Sequence, residues 1–179
     1  MRLITPEYRA LQCQLHELPY YGSGEATKFW YPMVRMAATQ IHASSILDYG
    51  CGKGKLAESL PEHIVLSYDP AIPGRDGPPE SADLVVCLDV LEHIEPECLG
   101  AVLGDIRQLA LVAVLFTIAT GPAKKTLADG RNAHLIQEDE TFWLPKIMQH
   151  WDLQHFARRP GCKEFFTFAL AKPPRIAAL

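Results

Sequence analysis

Nothing in the chain restricts its fold as much as Ile46-Leu47-Asp48-Tyr49-Gly50-Cys51-Gly52-Lys53-Gly54. A short apolar run ends on an acid and opens into glycines at alternate positions. Lys55-Leu56-Ala57-Glu58-Ser59-Leu60 follows with helical spacing until Pro61 ends it. The pattern predicts a strand, a tight glycine turn and a helix start, as used where backbone approaches a ligand with no Cβ in the way. The spacing Asp-x-Gly-x-Gly-x-Gly is neither the Gly-x-Gly-x-x-Gly of dinucleotide folds nor the Gly-Lys-Ser/Thr ending of a phosphate-binding loop. Taken alone, it could also be a plain structural turn.

A second strand, Ile64-Val65-Leu66-Ser67-Tyr68-Asp69, again ends in an acid, 21 residues after Asp48. A carboxylate there can accept hydrogen bonds from two vicinal ribose hydroxyls; Asp69 also opens a turn with Pro70. A third apolar run, Leu84 to Leu88, leads into Asp89-Val90-Leu91-Glu92-His93-Ile94. Together, in this order and at these intervals, the three stretches resemble the class I S-adenosylmethionine (SAM)-dependent methyltransferase superfamily, in particular its branch of ubiquinone- and menaquinone-biosynthesis methyltransferases. The likeness is close over residues 46 to 118 and loose elsewhere. It implies a Rossmann-like α/β sheet with helices on both faces and a terminal antiparallel hairpin. It also implies SAM as cofactor and S-adenosyl-L-homocysteine (SAH) as product. Asp48, Tyr49, Gly50, Cys51, Gly52, Gly54, Asp69, Pro70, Leu88, Asp89 and Val90 would surround the cofactor, beyond the carboxyl ends of the strands.

One departure from the family stands out. Only 13 residues, 70 to 82, lie between the second strand and Asp83, where the family places a helix, a third strand and another helix. A crossover to a parallel strand alone needs a dozen or more residues, and Pro70-Ala71-Ile72-Pro73-Gly74-Arg75-Asp76-Gly77-Pro78-Pro79 is loop chemistry throughout. The third strand is therefore expected to be missing, and adenine to rest against this loop. No adenine-binding acid carries over from the family, and Asp76 is named for that place.

The 179 residues predict one domain, with 1–44 as an N-terminal helical cap and 45–179 as the core. Helices are expected over Glu7–Leu18 and Phe29–Ile41, the latter with Phe29, Met33, Met36, Ala37 and Ile41 on one face. Pro96 should sit in the first turn of a helix striped by Leu99, Val102, Leu103, Ile106 and Leu109. Then come a strand over Leu111–Ile118, a helix over 142–150, and a hairpin of Asp152–Ala157 with Phe165–Ala171. Between the first two helices, Pro19–Gly24 either folds over the cofactor, as in many family members, or is a plain loop. No apolar run nears a membrane span and Met1–Pro6 lacks a signal-peptide core. Five cysteines without a Cys-x-x-Cys pair suggest free thiols in a reducing cytosol. A net charge of −4 argues against a nucleic-acid partner, although residues 124–179 hold nine Lys/Arg against six Asp/Glu. No oligomeric state follows.

Methyl transfer from a sulfonium needs donor and nucleophile in line, and a hydroxyl nucleophile also needs a base. The long loop Thr120–His134 leaves the strand beside the cofactor, and its end gathers Arg131, Asn132 and His134. His134 is expected as base and Arg131 as substrate clamp, with His93 facing the substrate. His16, His42, His63, His150 and His155 receive no role. The leading expectation is O- or N-methylation of a small or glycan-like acceptor, with no metal ligands assigned. An alternative rests on resemblance to small-RNA terminal ribose 2′-O-methyltransferases, which carry Glu-x-x-Glu-His and a later His around a divalent metal. Here Asp89, Glu92, His93 and His134 fall at those places, with Asp89 replacing a Glu. A further alternative is a non-catalytic SAM-binding subunit.

Overall fold

The structure, a computed structural model, describes residues 2–25 and 27–172. Among these residues six strands form one sheet: β1 (Ser45–Tyr49), β2 (Ile64–Tyr68), β3 (Ala82–Leu88), β4 (Ala110–Ala119), β5 (Trp151–Arg158) and β6 (Glu164–Ala171). Their order is β2-β1-β3-β4-β6-β5. The first four are parallel, and β6 inserts antiparallel between β4 and β5. The central strands β1 and β3 are buried on both faces, as a parallel sheet requires. In register, Ile46 lies beside Leu84 and Leu47 beside Val85. Side chains of alternate residues therefore feed two separate cores.

On one face Leu47, Val85 and Phe116 pack with Ile106 of α4 (Leu99–Leu109) and Trp143 of α5 (Glu140–His150). On the other, Ile46, Leu84 and Val86 pack with Val34 of α2 (Tyr31–Gln40) and Leu56 of the short α3 (Lys55–Ser59). The remaining helix, α1 (Pro6–His16), crosses the carboxyl ends of the strands. Among the described residues, no helix is long and apolar enough to cross a membrane.

The third strand of the longer fold is absent, as the residue count required. Residues 70–81 contain neither helix nor strand, and they fold back on Asp69 through backbone bonds from Asp69 N–H to Arg75 O (3.0 Å) and from Arg75 N–H to Ile72 O (3.0 Å). Strand β2 is thereby the rim of the sheet.

Two local expectations need correction. A 3-10 turn over Thr27–Trp30 precedes α2, and its tighter winding shifts the buried register. The inward face is Tyr31, Val34, Ala37 and Ala38, while Phe29 and Met36 are exposed. Pro96 lies in the turn before α4 and not in its first helical turn; there the Cys98 N–H donates to Glu95 O (2.8 Å).

Candidate active site

The glycine turn is built by the end of β2. The N–H groups of Gly50 and Cys51 both donate to Tyr68 O, at 2.8 and 3.0 Å. Gly52 has φ +51°, in the left-handed region that a side chain adopts only with strain. A Cβ there would stand 2.5 Å from Gly22 O, and the Lys53 N–H donates to the same carbonyl at 2.8 Å. The nearest obstacle to a Cβ at Gly52 is therefore protein. What it would enter is the backbone of the Tyr20–Gly24 segment, which lies against the turn and lines the same cavity.

That cavity, about 560 Å³, opens at the carboxyl ends of β1, β2 and β3. Asp69 sits in its wall, with Oδ2 accepting from Gly52 N–H (3.1 Å) and Oδ1 from Ala71 N–H (2.9 Å). Asp48 is buried beside it. Burial, with the negative charge of Asp69, pushes its carboxyl up to about 7, and Arg75 offsets only part of this. Asp89 takes the left-handed conformation at φ +53°. Its Oδ1 accepts from Thr117 Oγ1 (2.8 Å), and burial plus the neighbouring Glu164 raise its carboxyl to about 7. Val90 fills the space next to Gly50.

At the far wall, a 3-10 turn over Leu91–His93 meets the loop after β4. His93 Nδ1 is 2.7 Å from Ala133 O, and His134 Nδ1 is 2.6 Å from Gly121 O. A carbonyl accepts only, so each Nδ1 carries the proton and each Nε2 is left with its lone pair. Burial, aided by His134, holds the His93 imidazole down to about 3, and burial lowers His134 as well. Both rings are neutral near pH 7. Glu92 is fully buried; its Oε1 accepts from Ala119 N–H (2.9 Å), while its Oε2 has no hydrogen-bond partner among the described residues. One ligand atom from each of Glu92, His93 and His134 lies within 4.8 Å of the others.

No protein-family model and no curated protein sequence matches the chain. Solved structures do. N-methyltransferase NodS from Bradyrhizobium japonicum WM9, in complex with SAH, superposes with a TM-score of 0.65 at 13% identity, covering 94% of this chain and all of the other. The 1,6-didemethyltoxoflavin-N1-methyltransferase of Burkholderia thailandensis, with its namesake and SAH bound, gives 0.61 at 20% identity over 97% and 93% of the two chains. The methyltransferase domain of bacterial CtHen1 gives 0.56 at 14% identity over 78% and 96%. The chain has the class I methyltransferase fold.

Within this methyltransferase fold the expected site residues separate into two groups. Gly50, Cys51, Gly52, Asp48, Asp69, Leu88, Asp89, Val90, His93 and His134 all reach the cavity. Tyr49 and Pro70 border it, but the Tyr49 hydroxyl is spent on Asp105 Oδ2 (2.9 Å) and Pro70 O accepts from Arg9 Nε (2.6 Å). The Cys51 thiol is pushed up to about 12, chiefly by burial, and is no nucleophile. Gly54 lies outside the cavity wall, under the Arg75 guanidinium. Arg131 is exposed, pairs with Asp129 Oδ2 (2.7 Å) and covers the Tyr8 ring; it does not line the cavity. Asp76 pairs with Arg9 at 2.5 Å and is likewise outside.

Residues without an assignment take part instead. Tyr8 and Gln12 of α1 line the cavity with Tyr21; Gln12 Nε2 donates to Tyr8 Oη (2.5 Å) and Tyr21 Oη to Gln12 Oε1 (2.9 Å). Tyr8 Oη also donates to His93 O (2.5 Å). The available signal was a polar stripe, Tyr8-Gln12-His16, at intervals of four on a helix.

Proposed function

We propose that this chain is a cytosolic SAM-dependent methyltransferase that acts on an oxygen or nitrogen of a small or glycan-like acceptor. The observation that carries this reading is the placement of Asp69 and the glycine turn on one wall of a cavity whose opposite wall presents two neutral imidazoles. SAM, when bound, supplies a methyl group on a positively charged sulfonium. Asp69 binds the ribose hydroxyls: each carboxylate oxygen already accepts one N–H but has a second lone pair to offer. Asp48, close by, favours a cationic ligand once ionised. Lys124 and Lys125 at the cavity edge suit an acceptor with acidic or phenolic oxygens. His134 Nε2 is free to take the proton that an acceptor hydroxyl gives up as it is methylated, and His93 Nε2 stands beside it. Tyr8, Gln12 and Tyr21 orient the acceptor and exclude water.

Replacing His134 by Ala should leave SAM affinity unchanged and lower turnover about 10²–10⁴-fold, the usual worth of a positioned base. Label transfer from tritiated-methyl SAM into fractionated cell extract measures it, with calorimetry for binding. Wild-type transfer by the variant would remove the base assignment.

SAM affinity should also depend on pH. Folded Asp48 keeps its proton up to about pH 7, whereas the unfolded chain releases it near pH 4. The ligand-free fold therefore loses stability as pH rises from 4 to 7, then levels off. A cationic ligand selects the ionised form, so affinity should climb over the same interval and flatten above 7. Calorimetry between pH 5.5 and 8.5 tests this, and Asp48→Asn should reduce the slope to what Asp89, also raised to about 7, contributes.

A second reading draws on Glu92, His93 and His134. Two imidazoles fixed by Nδ1–H···O=C bonds, with a carboxylate oxygen that has no partner among the described residues, form a donor set suited to a divalent cation. Asp89 is turned to Thr117 and stands apart from the set. These three residues would hold the ion, which would polarise an acceptor hydroxyl such as a ribose 2′-OH. Under that reading EDTA should abolish label transfer, Mn²⁺ or Mg²⁺ should restore it, and the label should enter RNA. Full transfer by metal-free protein in EDTA would dismiss it.

A further inference from the structure

His16 received no role from the sequence, yet its ring is set into the cavity wall at the end of α1, one helical step beyond Gln12. The side chain is 13% exposed. Its position is fixed by packing: the ring lies edge-on to Tyr21 with centroids 4.9 Å apart, and a Cβ added at Gly22 would be 2.8 Å from Cε1. Its nitrogens, by contrast, are unspent. Nδ1 is buried with no hydrogen-bond partner among the described residues, and Nε2 stands 3.8 Å from Asp69 Oδ2, beyond hydrogen-bond reach. A neutral imidazole holds one donor and one acceptor, and burying either without a partner is unfavourable. Burial lowers the His16 pKa, so an ion pair with Asp69 does not account for the arrangement.

We infer that His16 and Asp69 together form the ribose site, the carboxylate and the imidazole holding the vicinal diol between them. This rests on the cofactor reading above. Asp69 can only accept, so both hydroxyls donate a hydrogen bond to it. Each hydroxyl oxygen then still has lone pairs, and His16 donates its N–H to one of them. The sheet supplies one half of the site and α1 the other. Bound nucleoside therefore fastens α1 over the acceptor end, where Thr5 N–H donates to Glu95 Oε2 (2.8 Å) and Tyr8 reaches His93 O.

The test is calorimetry with SAH and with its 2′-deoxy and 3′-deoxy analogues, on wild type, His16→Ala and Asp69→Ala. His16→Ala should bind SAH about tenfold more weakly, as the loss of one hydrogen bond to a ligand predicts. One deoxy analogue, lacking the hydroxyl that His16 reads, should bind His16→Ala and wild type equally. Unchanged SAH affinity in folded His16→Ala would overturn the inference. So would an equal loss for SAH and both analogues, which would make His16 a packing residue of α1. If the variant does not fold, ¹⁵N shifts of the His16 imidazole in wild type must move on adding SAH and stay put with one deoxy analogue. No movement with SAH overturns the inference. Wild type that binds no SAH would overturn the cofactor reading itself, whereas loss in Asp69→Ala alone would leave that reading standing and sink only the role of His16.

Discussion

Asp69→Ala is expected to weaken SAM binding by a factor of about one hundred or more. Two ribose hydroxyls bonded to a charged acceptor contribute roughly 1.5–3 kcal/mol each, and both are lost together. The same carboxylate also accepts from Gly52 and Ala71 N–H. Alanine would leave these two buried donors without their acceptor, so the melting temperature should fall as well. Asp69→Asn separates the two effects: its amide oxygen can still serve one N–H while the charge that holds the diol is gone. Calorimetry against SAH, with a thermal melt of each ligand-free variant, gives both numbers. Affinity unchanged in Asp69→Ala would end the ribose assignment whatever the melts show.

Gly52→Val should be the most damaging single change to the fold around the site. A β-branched residue at φ +51° costs about 1–2 kcal/mol in backbone strain. The Cβ, 2.5 Å from Gly22 O, adds overpacking of about 1–3 kcal/mol against backbone that cannot rotate away. Together these amount to about 3 kcal/mol, or roughly 6–12 °C in Tm for a chain of this size. The Tyr20–Gly24 segment would be pushed off the turn, and SAM affinity would go with it. Gly130→Ala provides the comparison: φ is +89° there, but nothing lies within 4 Å of the added Cβ. It should show the strain without the collision and leave binding intact. A Gly52→Val variant that melts like Gly130→Ala would mean that the Gly22 contact carries no weight.

Legibility in the sequence followed the range of the interactions. Strands β1 to β4 were readable because each is a short apolar run closed by an acid, a glycine or a proline, and these signals act within a few residues. The missing third strand was readable from a distance count alone. The register of α2 was misread because a 3-10 turn of four residues, Thr27–Trp30, precedes it and no composition rule separates that from a first α turn. Arg131 was expected in the cavity, yet Asp129, two residues before it, holds the guanidinium in a local turn; the nearer charge wins. The contribution of α1 was the least visible. It depends on Thr5 meeting Glu95, 90 residues away, and on Tyr8 reaching His93 O, pairings that helix periodicity cannot foretell. Glu92 was noted only through resemblance. Its orphaned oxygen is a property of the packed state.

The lost strand has a consequence for how such a sheet can change. Because the missing piece lay at the end of the strand order, its absence costs one ladder and leaves the others in place; β1 still runs between β2 and β3. A parallel sheet of this kind can be trimmed from its rim like a row of tiles, without re-laying those around the ligand. The trimmed side must then stay soluble with a bare row of backbone donors and acceptors. Here that row is only five residues long, with Pro61 ahead of it and Pro70 behind, and short, proline-bounded rims resist pairing with a second chain. The economy in length thus ends in a rim that is short and closed by a proline at either side.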